Sequence, residues 1–204
     1  MKCSRIFTMA ALVALGAAPL AFADVPAKVE MDNGQIYECK LRWMPASKKY
    51  AITRSAGAGG TAVEQQVSPS QIVRKQVAPP AGWRELIQQA GKSPAAALPR
   101  LLQLVDEYKM LDYDELAAMV IGQIYQKQGK HAEFIAVAEK VAQDNPAAVS
   151  ASRMAPYYWA SLIETGKTAG GKLEKMLDDA VATAPSDVAA KALVARGDLL
   201  KKAG

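Results

Sequence analysis

The chain has one histidine, His131, and two cysteines, Cys3 and Cys39. Zinc sites of the His/Cys type need three or four such ligands, so that chemistry has no ligand set here. A nucleophilic triad would require His131 to meet a hydroxyl or thiol and an acid. His131 follows Gly129-Lys130, a turn signal between two helical stretches, and reads as an exposed packing position. Asp112/Asp114/Glu115 and Asp178/Asp179 are carboxylate groupings of the sort glycoside hydrolysis uses. Acidic residues near helix starts also complement the macrodipole, and that is the reading taken. Gly91-Lys92-Ser93 matches the end of a phosphate-binding loop, but Leu86 stands where the motif needs its first glycine. Gly57-Ala58-Gly59-Gly60 has no helix after it and reads as a hairpin loop. Arg196-Gly197-Asp198 spells an adhesion tripeptide inside a helical stretch, where it lacks the exposed loop form. Of Tyr157-Tyr158-Trp159, helical spacing assigns one or two to the core and leaves a third to line a groove. No residue is assigned a catalytic role, no metal or cofactor is expected, and the reading is non-enzymatic.

These residues sit in a chain of ordinary globular composition: 204 residues, 50% hydrophobic, 22% charged, formal net charge +5. Disorder, collagen and a disulfide-stapled mini-protein do not fit. Lys2 and Arg5 precede an uncharged apolar run, Ile6 to Ala18, then Pro19 and Ala21-Phe22-Ala23. This reads as a secretory signal peptide over residues 1–23, cleaved after Ala23. The run is shorter than the roughly 20 residues that span a bilayer. Cys3 precedes the apolar run and so is not a lipoprotein cysteine. The exported protein, periplasmic or secreted, keeps Cys39 as its one thiol and has no transmembrane segment.

From Asp24 to Ala78 the period is that of strands. Val29 to Met31 leads into the turn Asp32-Asn33-Gly34. Gln35 to Met44 then alternates, with Tyr37, Cys39, Leu41 and Trp43 on one face. Cys39 is expected to be buried with that set. Lys49–Arg54, Ala62–Val67 and Ile72–Val77 complete five strands, with Ser68-Pro69-Ser70-Gln71 as a tight turn before the last. Eight basic residues against five acidic ones give this region a net +3. Pro79-Pro80-Ala81-Gly82 is a short stiff linker. Beyond it the period is helical, with breaks at Gly91, Gly129, Asn145-Pro146, Gly166, Gly170-Gly171 and Pro185. Seven helices are predicted, over about 82–90, 94–110, 112–128, 131–144, 148–165, 171–184 and 186–203, with Asp112 and Ser186 as N-caps. Charges balance in this region.

The order of five short strands resembles an SH3-like small β-barrel. Leu116 to Pro146 resembles a tetratricopeptide repeat: Ile121-Gly122, then Tyr125, Gly129 closing the first helix, and Pro146 ending the unit. Phe134 is large and Ala138 small where that family has the reverse, so the second helix should pack differently. Leu193 to Gly204 fits a repeat's first helix, with Gly197, Leu200 and Gly204 in register. Residues 148–185 match only approximately. The whole is similar to exported bacterial proteins that join a small barrel to such repeats, a resemblance that brings no activity with it. The fold class expected is therefore α+β: a small five-stranded SH3-like barrel over 24–78, a linker over 79–82, and a helical repeat domain over 83–204.

A repeat array implies a concave face lined by its first helices, the usual binding surface. The resemblance places Met119, Gln123, Gln126 and Lys127 there from the best unit, and Lys191, Val194, Asp198, Lys201 and Lys202 from the last helix. The expected function is binding of a protein or peptide partner in the cell envelope. A second reading is an anionic-glycan binder using Lys40, Arg42, Lys48 and Lys49 of the barrel. A third is an envelope hydrolase. Export and the modest charge argue against nucleic acid as a partner.

Overall fold

The computed structural model describes residues 24–55, 61–168 and 171–203. Residues 1–23, where a signal peptide is expected, the glycine-rich loop at 56–60, Ala169, Gly170 and Gly204 lie outside the described residues. Five strands come first: β1 (Val25–Met31), β2 (Ile36–Met44), β3 (Lys49–Arg54), β4 (Val63–Val67) and β5 (Ile72–Val77). Seven helices follow: α1 (Trp83–Lys92), α2 (Pro94–Glu107), α3 (Tyr113–Lys127), α4 (His131–Ala142), α5 (Ala155–Glu164), α6 (Lys172–Thr183) and α7 (Ser186–Ala203). The α+β class and its order, sheet then helices, are as expected.

The strands form one antiparallel sheet in the order β4-β3-β2-β1-β5. Four consecutive strands pair with their neighbours, and β5 crosses back to lie beside β1. The crossing is the turn Pro69–Gln71, where Gln71 Oε1 accepts from the Ser68 N–H at 2.8 Å and Asp32 N–H bonds Gln71 O at 2.8 Å. Among the described residues β4 and β5 remain edges, so the sheet has the order of a small barrel without closing. Alternation on β1 to β3 buries Val25, Val29, Met31, Leu41, Trp43, Tyr50 and Ile52 on one face. Cys39 is on that face as its period requires, yet it is only half-buried. Beside Cys39 the Arg54 guanidinium stacks on the Tyr37 ring at 4.3 Å. Burial raises the Cys39 thiol pKa, with Arg54 opposing.

The sheet docks on the α2–α3 turn. Tyr50 donates its hydroxyl to Met110 O at 2.8 Å, and Lys75 Nζ is 2.6 Å from Asp112 Oδ1. Trp83, Tyr108 and Tyr113 stack edge to face beside it, at 5.3 and 5.7 Å. Buried side chains of sheet and helices form one continuous core. The turn alters two expectations. Helix α2 stops at Glu107, three residues before the predicted end, because the chain must reverse here with Met110 and Asp112 at φ of 62° and 70°. Asp112 does not cap α3 with its side chain; its carboxylate is taken by Lys75. The predicted helix 148–165 is also too long. Residues Pro146–Val149 make a 3-10 turn, and α5 begins only at Ala155. Pro156 requires this, since inside a helix it would lack an N–H and its ring would strike the carbonyl of Ser152. Ser152 Oγ instead accepts from Met154 N–H at 3.1 Å.

Successive helices pack together except α5 and α6, and α3 lies against α5 and α5 against α7. Gly122 stands where α3, α4 and α5 meet. A Cβ there would lie 2.7 Å from Phe134 Cζ and 3.0 Å from Tyr157 Cβ. The large residue at Phe134 is thus admitted by the missing side chain at 122. Gly197 in α7 is different: nothing lies within 4 Å of its would-be Cβ, and its φ is ordinary. Gly197→Ala should therefore stabilise the protein by about 0.5–1 kcal/mol, the usual cost of glycine within a helix. Thermal melts at low micromolar concentration would show it; a lowered midpoint would mean that the position is not open.

Candidate functional site

One candidate site is a groove of about 640 Å³ between α3, α5 and α7. Ala160, Ile163, Val194 and Ala195 supply an apolar floor, and Gln126, Lys191, Asp198, Lys201 and Lys202 a polar rim. Gln126 reaches it from the C-terminal half of α3, where its Nε2 bonds Tyr157 O at 3.1 Å. One residue turn back, Gln123 Nε2 donates to Tyr157 Oη at 2.9 Å. These two bonds fix Tyr157 as a wall of the groove. Trp159 and Tyr158 turn inward; Trp159 is fully buried with its indole N–H on Val149 O at 2.8 Å. The aromatic triplet therefore divides as its helical spacing implied.

On α7, Lys191, Val194, Asp198, Lys201 and Lys202 lie along one side because they are three, four and seven residues apart. Lys202 Nζ is 3.0 Å from Glu164 Oε2 and 3.3 Å from Ile163 O, which ties α7 to the end of α5. Lys201 is a looser 3.6 Å from Asp198. Lys191 makes no ion pair among the described residues.

Not every sequence-derived position gathers here. Met119 is half-buried against the core. Lys127 and Gln123 line a separate, smaller groove of about 230 Å³ beside α1. The α5 wall, Pro156, Tyr157, Ala160, Ile163 and Glu164, was not read as binding surface, because residues 148–185 carried no clear register. Tyr157 was the one signal, as part of the aromatic triplet.

The basic sheet residues are less well placed for an anion. Lys40, Arg42 and Lys49 share the outward face by alternation. Arg42, however, lies 3.2 Å from both Asp24 and Glu64. Lys48 stands in the β2–β3 turn with φ 51°.

The remaining chemistry-bearing residues lie outside the lining of the groove between α3, α5 and α7. His131 Nδ1 is 3.3 Å from Ser161 Oγ, and Ser161 is fully buried. Asp178 pairs with Arg196 at 3.0 Å, inside the helical tripeptide. Asp114 is 2% exposed, and its Oδ2 accepts the Met110 N–H at 2.8 Å while Oδ1 has no partner. Burial pushes its pKa up to about 6. Glu115, bonded to Asn145 Nδ2 at 2.5 Å, is pushed up to about 7 by burial and by the neighbouring Asp114 and Asp112 carboxylates. Raised carboxyls often mark catalytic acids. Here Asp114 braces the turn on which the sheet docks, Glu115 ties α3 to Asn145 beyond α4, and neither lines the groove.

Among the described residues no cluster of His, Cys, Asp and Glu is arranged to hold a metal ion, and no helix is long and apolar enough to cross a membrane. Comparison with protein families, curated proteins and solved structures returns no match.

Proposed function

We propose that this is an exported, non-enzymatic binding protein whose helical domain, built of repeats of the tetratricopeptide kind, holds an extended segment of a cell-envelope protein. The observation that carries the reading is the groove between α3, α5 and α7. An apolar floor with a rim of lysine, glutamine and carboxylate groups offers an extended chain both side-chain burial and partners for its backbone. The side-by-side packing of α3, α5 and α7, with Gly122 at a close helix contact, supports the repeat reading. Export rests on the signal-peptide pattern, and β1 starting at Val25 is compatible with cleavage after Ala23.

The test is capture of a partner by the chain beginning at Asp24, presented with its own envelope fraction. Lys191→Glu with Val194→Asp should cut capture at least about tenfold, a change of about 1.4 kcal/mol. Both side chains are exposed, so stability should stay within about 0.5 kcal/mol. Reversal of Lys40, Lys48 and Lys49 to Glu should leave capture unchanged. Should that second variant lose binding instead, with salt-sensitive retention on anionic glycan, the sheet is the binding module. A hydrolytic activity abolished by His131→Ala in a folded protein would make it an enzyme.

A further inference from the structure

Helix α7 has a second surface that the groove does not use. Val188, Ala192, Ala195 and Leu199 are buried on the side that packs against α5 and α6. The opposite side carries Ala190, Leu193, Gly197 and Leu200, three and four residues apart, which is the spacing of a helix-packing seam. Leu193 and Leu200 are 55% and 65% exposed, and the Gly197 notch is empty to 4 Å. The corresponding notch in α3 is filled. Gly122 has Tyr125 three residues on, as Gly197 has Leu200, and Phe134 of the crossing helix α4 enters it. At Gly122 the notch takes a large apolar side chain from another helix.

We propose that the α7 seam is a homodimer contact, with α7 packed antiparallel on α7 of a second copy about a two-fold axis. The order of side-chain sizes selects this occupant. Read forward, the seam is small, large, small, large; read backward, it is large, small, large, small. Antiparallel pairing sets Leu193 into the notch at Gly197 of the second copy and Leu200 over its Ala190, and the two-fold repeats both contacts. A parallel pair would set leucine on leucine and leave two glycines facing a gap. Charge agrees. Asp187 and Lys201, the latter also on the groove rim and 3.6 Å from Asp198, lie on one flank of the seam, each seven residues from Val194. Antiparallel packing brings each Asp187 alongside Lys201 of the other copy, whereas parallel packing sets like charges together. Arg196, near the axis on the other flank, is already paired with Asp178. Such an interface is isologous and closed. One helix pair buries less than the roughly 1,200 Å² of a stable interface, so the dimer is weak and forms only at high protein concentration.

Sedimentation of the chain from Asp24, between about 10 μM and 1 mM, should show the average mass rising toward a dimer. Gly197→Leu should remain monomeric over that range. Its fold, read by circular dichroism and melting at the lowest concentration, should be intact, because the site is open in the monomer. On a Cys39→Ser background, Leu193→Cys mixed with Gly197→Cys should oxidise to a cross-linked pair, while neither alone does. A protein monomeric throughout, or a Gly197→Leu variant that associates like the parent, overturns the proposal. Cross-linking of Leu193→Cys with itself overturns the antiparallel arrangement.

Discussion

Gly122→Leu should lower stability by about 3 kcal/mol or more and melt the helical region at least about 6 °C early. A Cβ alone would come within 2.7 Å of Phe134 Cζ and 3.0 Å of Tyr157 Cβ. The first neighbour is the far end of a ring that can tilt. The second is anchored to the α5 backbone, whose position sets the groove wall. Leucine adds three more carbons to a space that does not hold one. Gly122→Ala should cost less, about 1 kcal/mol, and Phe134→Leu in the same chain should recover part of that loss. The recovery is the informative result, since two changes in contact are non-additive in this direction only if they share the space. Loss of helix by circular dichroism, with the sheet more resistant to protease, would place the damage. A Gly122→Leu protein that melts with the parent would remove the close contact on which the repeat reading stands.

The second large effect is on pH. Asp114 and Glu115 bind protons more tightly in the folded chain than their ordinary carboxyl values of 3.8 and 4.5 allow, at about 6 and about 7. Between pH 4 and pH 7 or so the folded state therefore holds more protons than the unfolded one, and stability falls as the pH rises. The contribution is complete below the ordinary carboxyl range and gone once the pH passes the folded values. Asp114 alone accounts for about 3 kcal/mol across its window; Glu115 adds less than its own shift, because part of that shift is repulsion from Asp114. Urea melts should show higher stability at pH 4.5 than at pH 8. Asp114→Asn keeps an acceptor for the Met110 N–H and removes the charge, so it should flatten the slope. A parent protein equally stable at both pH values, or an Asn variant with an unchanged slope, would refute the account.

Much of the fold was legible because alternation and turn chemistry are local. Tyr37, Cys39, Leu41 and Trp43 share a face for the reason that any strand has a period of two, and Asn33-Gly34 turns wherever it stands. How deeply that face is buried is not local. Cys39 shares the core face by its period and is still only half-buried. The same limit governs the α2–α3 turn. Nothing in Met110 announces a positive φ; the turn is held by Tyr50 on the Met110 carbonyl and by Lys75 on the Asp112 carboxylate, both from distant strands.

For the candidate site the division is similar. The sequence by itself determined the strand and helix periods, and on α7 the side that carries Lys191, Val194, Asp198, Lys201 and Lys202, because residues three, four and seven apart on one helix must align. It also determined that His131 has no second histidine to share a metal. Only the tertiary structure decided that α5 closes the groove with Tyr157 and Ile163, that Lys127 faces α1 instead, and that Gly122 is filled while Gly197 is open. Those depend on which helix crosses which, and a crossing is set by packed side chains far apart in the chain: Phe134 lies twelve residues beyond Gly122 and Tyr157 thirty-five, and no periodicity within α3 encodes either.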